Sequence, residues 1–515
     1  MKAIRKDRDT SKKIKSLEEL SEILAELREN NLTVVQCHGV FDLLHIGHIR
    51  HFEEARKLAD IMVVTVTPDV FVDKGPHRPA FVQELRAEAI AALDCIDYVA
   101  VNKWPTATET IKLLQPNYYV KGSDYNDKEG DITGGIKKEE EAISSVKGKL
   151  VLTDNITFSS SGLINEHIPV FSDDVKIYLE KFSSQYDSVE VLKYLERYKD
   201  LRILVIGETI IDEYQYCDAI GKSSKEPTLA MKVTATERFA GGILAVGNHV
   251  SNFSDNVGLI SYLGMEKSQE EFVNKHVNPA INTEFVYKQL SPTIVKRRFV
   301  ESYTAFKLLE IYEMNDQPLQ EDKEQELCSI LNNEIPNYDV VIVVDYGHGF
   351  LSPDAIKIIC EKSSFLAINA QSNAANLGFH TVSKYPTADY ICVTENELKL
   401  DARDKEGDVK YVIKQLSDKM DCSHVMVTRS RLGCLSYSDK EGFIETPALA
   451  DHVVDRIGAG DAFLSLTAPC VAQNAPMEVV GFIGNAAGAN AVATVGNRNP
   501  INRNSLLRHI NSLLK

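Results

Sequence analysis

The sequence predicts an α/β protein built from two doubly wound parallel-sheet domains joined by a helical linker. Apolar runs of strand length alternate with amphipathic helical stretches in two separate series, the pattern of parallel sheets covered by helices. Between the series, residues 170–199 keep a helical period and contain no strand-like run. At 515 residues the chain exceeds one ordinary domain and has room for two or three cores.

Residues 15–29, KSLEELSEILAELRE, set Leu17, Leu20, Ile23, Leu24 and Leu27 on one helical stripe. They predict a leading helix over residues 1–29 that packs on the first domain. TVVQCHGV then predicts a short buried strand, and the histidine-bearing segment after it a helix rich in Glu, Ala, Arg and Lys. IMVVTVTPD, DYVAV and YYVKGSD predict three further strands, with helices between them at FVQELRAEAIAAL and TATETIKLLQ. This first α/β domain covers residues 30–166, and residues 167–200 form the helical linker. A fresh strand at RILVIGETIID opens the second domain, 201–515, which continues through VVIVVDYG, FLAIN, YICVT and HVMVT. Two stretches, LAMKVTATERFAGG and TIVKRRFVESYTAFKLLEIYE, predict extra β-structure that forms a lid over one edge.

Composition narrows the function. A hydrophobic share of 44% suffices for real cores and argues against disorder. A formal charge of −17 speaks against a general nucleic-acid binder, whose phosphate affinity needs clustered Lys and Arg. Small anions are not excluded, because their sites are local. The nine cysteines are scattered, odd in number and free of any CxxC, which reads as reduced thiols of a cytoplasmic protein and not as a disulfide or zinc framework. The basic N-terminus lacks the apolar core of a signal peptide, and no long apolar run suggests a membrane span.

Residues 41–60, FDLLHIGHIRHFEEARKLAD, place His45 and His48 three apart around Gly47, where a strand passes into a helix. On the first turn the two imidazoles point the same way over the end of the sheet. Open parallel sheets bind ligands at that end, and a helix N-terminus there attracts anions. Gly47 lets a ligand approach the backbone. Two imidazole donors suit a phosphate whose charge grows in the transition state. A weak metal pair and ordinary structural histidines fit the same spacing.

CHGVFDLLHIGHIRHFEEARKLADIMVVTVTPD resembles the signature of the HIGH-type nucleotidyltransferases, the cytidylyltransferase-like superfamily, and the resemblance favours the phosphate reading. It implies transfer of a nucleotidyl group from ATP or CTP to a phosphorylated substrate, with Mg²⁺ bridging oxygens and pyrophosphate leaving. By that resemblance His45 and His48 hold the α- and β-phosphates, Gly39, Phe41 and Gly47 lie at the nucleotide, and Lys74 in VDKG steadies the attacking phosphate. Arg86 in HRPAFVQELRAEAI and Lys121, Gly122 and Asp124 in YVKGSDY contact the nucleotide. Ser159, Ser160 and Ser161 in TFSSSGLIN close over the phosphates from a helix N-terminus. The motifs run in order through residues 30–165. Class I aminoacyl-tRNA synthetases share the first motif, but their KMSKS is absent.

Residues 455–463, DRIGAGDAF, carry the second signal. Gly458, Ala459 and Gly460 allow a tight turn whose N–H groups face an anion at the start of a helix. Asp461, directly after, is placed to take a proton from an attacking hydroxyl. A close packing contact explains a lone glycine turn equally well. GAGD, however, resembles the closing motif of the ribokinase-like (PfkB) sugar kinases, and further motifs of that family run from residue 201 to about 505. The resemblance implies ATP and Mg²⁺ as cofactors, Asp461 as the base and the preceding amides as an anion hole. It places Asp212 of RILVIGETIIDEY, Gly241 and Gly242 of ERFAGGILAVGNHVS, and Arg298 of the Arg-rich stretch at the sugar. VVDYGHGFLS resembles the family's Asp-Tyr-x-x-Gly strand end. Thr428 and Gly433 of VTRSRLG fall near the ATP phosphates, and Asn485 of FIGNAAGANAV at the adenine.

Four departures stand out. Ala245 replaces a usual Asn, and Asn369-Ala370-Gln371 replaces Asp-Pro-Lys. Thr394 and Glu397 align with an Asn-x-x-Glu that organises Mg²⁺, which makes Glu397 the metal candidate. Gly207-Glu208 replaces Gly-Asp. These leave Asp461 intact but touch sugar and metal contacts.

The fusion as a whole resembles bifunctional enzymes that pair a sugar (heptose) kinase with a nucleotidyltransferase, here with the order of the two domains reversed. The resemblance implies a protein that makes a nucleotide-activated sugar from a sugar, a sugar phosphate and nucleotides, with no nucleic-acid or membrane partner and with a homodimer as the expected assembly. Two other readings remain open on the sequence. One is a cytidylyltransferase for a polyol phosphate; the other is an active transferase carrying a catalytically silent kinase-like module.

Overall fold

A computed structural model of the chain describes residues 10–72, 78–122, 135–153, 171–450 and 452–514. It divides into two compact units, Met1–Ser172 with Leu507–Lys515, and Asp173–Leu506.

The first unit is built on five parallel strands: β1 (Val34–Gly39), β2 (Ile61–Val66), β3 (Tyr98–Val101), β4 (Tyr118–Gly122) and β5 (Lys149–Thr153). Their order across the sheet is 3-2-1-4-5. β1 and β2 are buried along almost their whole length, Gln36 and His38 of β1 included, because helices cover both faces of such a sheet. The expected leading helix forms over Leu17–Glu29, opened by a capping box between Ser16 and Glu19. Its stripe buries Leu17, Leu20 and Leu24 against Val34, Val63 and Ala100. β5 is absent from the sequence expectation: it is a short, half-exposed strand bounded by lysine and carries little apolar signal. Strand order reverses between β1 and β4, and the crevice at such a switch point is where open α/β sheets take ligands.

The second unit holds a larger sheet of nine strands and a separate sheet of four. The strands in chain order are β6 (Arg202–Gly207), β7 (Thr209–Lys222), β8 (Leu229–Gly242), β9 (Asn256–Glu266), β10 (Asn282–Pro292), β11 (Ile294–Glu301) and β12 (Lys307–Glu313). They continue as β13 (Val340–Asp345), β14 (Leu366–Ala370), β15 (Tyr390–Thr394), β16 (His424–Thr428), β17 (Cys434–Ser438) and β18 (Gly442–Thr446). The large sheet runs 10-9-6-13-14-15-16-17-18 and is parallel as far as β16, after which β17 and β18 add antiparallel strands. The small sheet runs 12-11-7-8. β9, β10, β17 and β18 were not singled out in the sequence.

RILVIGETIID, expected as one strand, is two. β6 lies in the large sheet, and after Glu208 the chain leaves it to become β7 of the small one. Glu208 is fully buried and accepts the backbone N–H groups of Tyr346 and His348, which anchors the break.

The expected linker also takes a different place. Helices Asp173–Gln185 and Ser188–Glu196 fall within the second unit, not ahead of it. Phe182 is buried and stacks on Phe482 of helix Met477–Val492 with ring centroids 4.3 Å apart. Tyr198 donates to the Leu466 carbonyl of helix Ala459–Ala472. Large aromatics buried in this way make the helices part of the core, since each hides an apolar face that a free connector would expose.

Candidate functional site

In the second unit a cavity of about 280 Å³ opens at the C-terminal ends of the parallel strands. The small sheet covers one side. On it Lys296 of β11 pairs with Asp212 of β7, and Arg298, two residues along, shares the face of Lys296. All three line the cavity. Tyr346, Gln371, Thr394 and Thr428 enter from the ends of β13 to β16, and Gly458, Gly460 and Asp461 close it from the helix Ala459–Ala472.

Asp461 sits in the first turn of that helix and is almost fully buried. Burial pushes its carboxyl up to about 6 and nearby Asp212 adds to the rise, against hydrogen bonds from Tyr346 and Gln371 and the charge of Lys296. Tyr346 Oη donates to Asp461 Oδ1 at 3.0 Å, and Gln371 Nε2 donates to the same oxygen at 2.9 Å. A carboxylate titrating this near neutrality is matched to taking a proton from a hydroxyl.

The turn before it is built for an anion. Gly458 caps the helix with φ 83, and a Cβ there would lie 1.9 Å from Asn497 Oδ1, so no other residue fits. Ala462 is the residue whose N–H reaches back to the Gly458 carbonyl. The Gly460 and Asp461 amides therefore have no acceptor within the helix and present the positive end of its dipole. A Cβ at Gly460 would meet nothing within 4 Å, so the space in front of these amides is open. This cradle fits a nucleotide phosphate.

On the lid side of the cavity, Asp212 is buried and paired with Arg298, which also donates to Glu310 at 3.0 Å. A Cβ on Gly241 would come within 2.1 Å of Asp212 Oδ2, so glycine is what lets the carboxylate lie there. Gly242 adopts φ 55, with the Glu208 carbonyl 2.7 Å from where a Cβ would be.

Several expected residues fall elsewhere. Glu397 reaches the cavity rim, but its carboxylate closes the capping box of helix Glu395–Ala402, accepting from the Thr394 amide and hydroxyl at 2.8 Å, and also takes the Ser372 amide at 3.1 Å. Both oxygens are thus engaged, a poor fit to a direct Mg²⁺ ligand. The described residues contain no group of three or more His, Cys, Asp or Glu suited to a metal. Asn485 donates to Cys434 Sγ and to the Gly481 carbonyl, inside its own helix packing. Gly433 makes a tight turn with φ 83 against the Thr446 carbonyl. Ala245 is buried within helix Ile243–Ser251.

Sequence reasoning missed Lys296, Tyr346 and Asp455. Lys296 is buried between the rings of Tyr312 and Tyr346, each 5.3 Å from its ammonium, and burial lowers its pKa. Its place two residues from Arg298 on a lid strand was the available signal. Asp455 accepts from Tyr214 at 2.6 Å, from Lys307 at 2.5 Å and from the Ile457 and Gly496 amides, tying the lid to the glycine turn.

The first unit carries the second candidate site, at the end of β1. His45 is the N-cap of helix Ile46–Arg56, and its Nδ1 accepts the Gly47 N–H at 3.1 Å. Burial lowers its pKa, so the ring is neutral near pH 7 and carries its proton on Nε2. His48 stacks on it with centroids 3.9 Å apart, and Phe41 meets His48 edge-on at 5.3 Å. Phe41 holds φ 51, and a Cβ on Gly39 would strike its ring at 2.9 Å. Gly39, Phe41 and the two histidines therefore form one fixed constellation.

Lys121 pairs with Glu139 at 3.1 Å, and among the described residues nothing lies within 4 Å of a Cβ at neighbouring Gly122. Arg86, expected at the nucleotide, is buried and spends its guanidinium on the carbonyls of Phe81, Val40 and Thr67 and on Asp69. It clamps the loops after β1 and β2 together. Lys74, Asp124, Ser159, Ser160 and Ser161 lie outside the described residues.

Comparison with known proteins agrees with this division. The model of the pfkB family carbohydrate kinases matches residues 200–504, and that of the cytidylyltransferase-like family matches residues 37–166. Among curated proteins, the "Bifunctional protein HldE" of Trichlorobacter lovleyi is 44% identical over 120 residues, 23% of this chain and 24% of that protein. The protein of the same name from Geobacter sulfurreducens is 42% identical over 158 residues, 30% of this chain and 31% of its own length. These alignments lie over the N-terminal domain, so the chain spans about a quarter to a third of the relatives it matches. Among solved structures, phosphofructokinase-2 from Escherichia coli is 16% identical, with a TM-score of 0.49 over 61% of this chain and 100% of that one. No helix among the described residues is long and apolar enough to cross a membrane.

Proposed function

We propose, for a chain that belongs to the pfkB family of carbohydrate kinases and carries a cytidylyltransferase-like unit ahead of it, that the two sites together make a nucleotide-activated sugar. The second unit phosphorylates a heptose-like sugar or sugar phosphate with ATP. The first joins a sugar phosphate to the nucleotidyl group of ATP or CTP and releases pyrophosphate. The likeness to HldE proteins supports the pairing, with the two domains in reversed order.

The observation that carries the kinase reading is Asp461, buried and held near neutrality directly behind the open amides of the glycine turn. Asp212 and Arg298 anchor the sugar, and Asp461 takes the proton of the hydroxyl that attacks the γ-phosphorus in line. The Gly460 and Asp461 amides receive the charge that develops on the phosphates. Mg²⁺, when bound with the nucleotide, supplies further neutralisation of the phosphate oxygens.

In the first unit no base is required. The substrate phosphate attacks the α-phosphorus, and His45 and His48 donate to the phosphate oxygens while the helix dipole adds its field. The site lies at the strand-order reversal of an all-parallel sheet, the position expected for such a ligand.

The test uses the full chain with Mg²⁺. ADP release is measured with heptose, hexose and polyol acceptors and their phosphates. Pyrophosphate release is measured with ATP, CTP, GTP and UTP against the corresponding phosphates. Turnover in both assays on one sugar series is expected. ATP binding without ADP release from any acceptor would replace the kinase by a silent module. Pyrophosphate release with CTP and a polyol phosphate alone would favour the cytidylyltransferase reading.

A further inference from the structure

We propose that Gln371 is a positioning residue for Asp461, acting with Tyr346 to fix Oδ1 through uncharged donors so that Oδ2 faces the acceptor hydroxyl. The inference rests on the kinase reading above and adds a residue to it. Gln371 stands where the sequence reads Asn369-Ala370-Gln371 at the end of β14, one of the departures from the family pattern.

Three observations carry it. Gln371 Nε2 and Tyr346 Oη both donate to Asp461 Oδ1, at 2.9 and 3.0 Å, and among the described residues neither bonds Oδ2. A carboxylate held by two donors on one oxygen cannot rotate without losing both, so its second oxygen is aimed. The backbone that carries each donor is itself pinned: the Gln371 backbone N–H donates to the Asp345 carbonyl at 2.9 Å, and the Tyr346 backbone N–H donates to the buried Glu208 carboxylate at 3.0 Å. Neither donor carries a formal charge, and both line the same cavity as Asp461.

The choice of an amide matters because of what else faces the base. Asp212 from β7 and Lys296 from β11 look onto it from the lid, Tyr346 and Gln371 come from the ends of β13 and β14, and Arg456 and Glu397 lie on the same cavity wall. Asp212 pushes the carboxyl up and Lys296 pulls it down. A cation at position 371, in direct contact with Oδ1, would tip that balance toward a weaker base. Glutamine orients the oxygen and leaves its proton affinity near the working pH.

The experiment uses the full chain as wild type, Gln371→Lys, Gln371→Asn and Asp461→Asn. Infrared difference titration follows the protonated-carboxyl band that Asp461→Asn removes, and so reads Asp461 without any substrate. The Gln371→Lys midpoint is expected about one unit or more below wild type, because a cation replaces a neutral donor. The Gln371→Asn midpoint is expected roughly half a unit above, because the shorter amide loses the bond. In ADP release with a heptose phosphate as probe acceptor, the acid limb of the kcat profile should move with each midpoint while KM for ATP stays within about twofold.

Midpoints that coincide with wild type in both variants would overturn the proposal. So would a lowered kcat with an unmoved acid limb, which is what a merely structural glutamine would give. Shifted midpoints without ADP release from wild type would overturn the kinase reading and leave the contact to Asp461 standing.

Discussion

Two residues decide whether the two sites work as described. Asp461 is raised to about 6 from an ordinary 3.8, so its kinase rate should fall below pH 6 as the base takes up a proton, read from the acid limb of ADP release. The same shift has a stability consequence of known sign. A carboxyl whose folded pKa is raised destabilises the fold once ionised, fully above pH 6, and the cost vanishes below about pH 4. Asp461→Asn should therefore raise stability by about 2–3 kcal/mol at pH 8 and by almost nothing at about pH 3, while lowering kinase turnover by roughly 10²–10⁴-fold. Denaturant titration at the two pH values checks the first, ADP release the second. In the other site, His48→Ala removes one of the two stacked imidazoles, and on the proposed phosphate role pyrophosphate release should drop by roughly 10²-fold or more. Unchanged release in that variant would refute the phosphate role of the pair.

At the scale of elements, the informative features are places where one segment fixes another. Gly241 on β8 leaves room for the Asp212 carboxylate on β7, and a Cβ would sit 2.1 Å from Oδ2. Gly241→Ala should displace the Asp212–Arg298 pair and lower kcat/KM for the acceptor by on the order of 10²-fold, with ATP binding measured by calorimetry little changed. Helix Asp173–Gln185 offers the second test. Its Phe182 lies in the core of the second unit, so Phe182→Ala should cost about 3–5 kcal/mol, visible as an earlier unfolding transition that abolishes ATP binding. A helix serving only as a connector would tolerate that change. The periodic stripe of Leu17–Glu29 and the buried runs of β1, β2 and β13 were legible because local pattern and tertiary burial agree there. β5 and β18 were not, since their partly exposed faces weaken the apolar run that betrays a strand, and in β17, though buried throughout, two serines interrupt it.

At the scale of the molecule, the chain joins a cytidylyltransferase-like unit to a pfkB kinase unit, and each has its own parallel sheet and its own candidate site at strand C-terminal ends. Independent chemistry is the expected outcome. Asp461→Asn should leave pyrophosphate release within about twofold of wild type, and His48→Ala should leave ADP release equally unaffected, because neither substitution alters the other unit's core.

The sequence by itself determined the α/β class and the two families of motif, and it singled out Asp461, His45 and His48 as candidates. These rest on short-range facts: an apolar period, a glycine turn, a helix start next to a strand. What the tertiary structure decided is which side chains are spent before a ligand arrives. Arg86, Glu397 and Asn485 all sit in the right motifs, yet backbone carbonyls, a capping box and a buried sulfur engage the Arg86 guanidinium, the Glu397 carboxylate and Asn485 Nδ2. Lys296, Tyr346 and Gln371, unremarked or counted as departures in the sequence, come from β11 and from the ends of β13 and β14 to stand around one carboxylate. Residues so far apart in the chain meet only when the sheets assemble. Local pattern records a residue's neighbours in sequence, whereas a polar group's availability depends on every donor and acceptor that folding brings within reach.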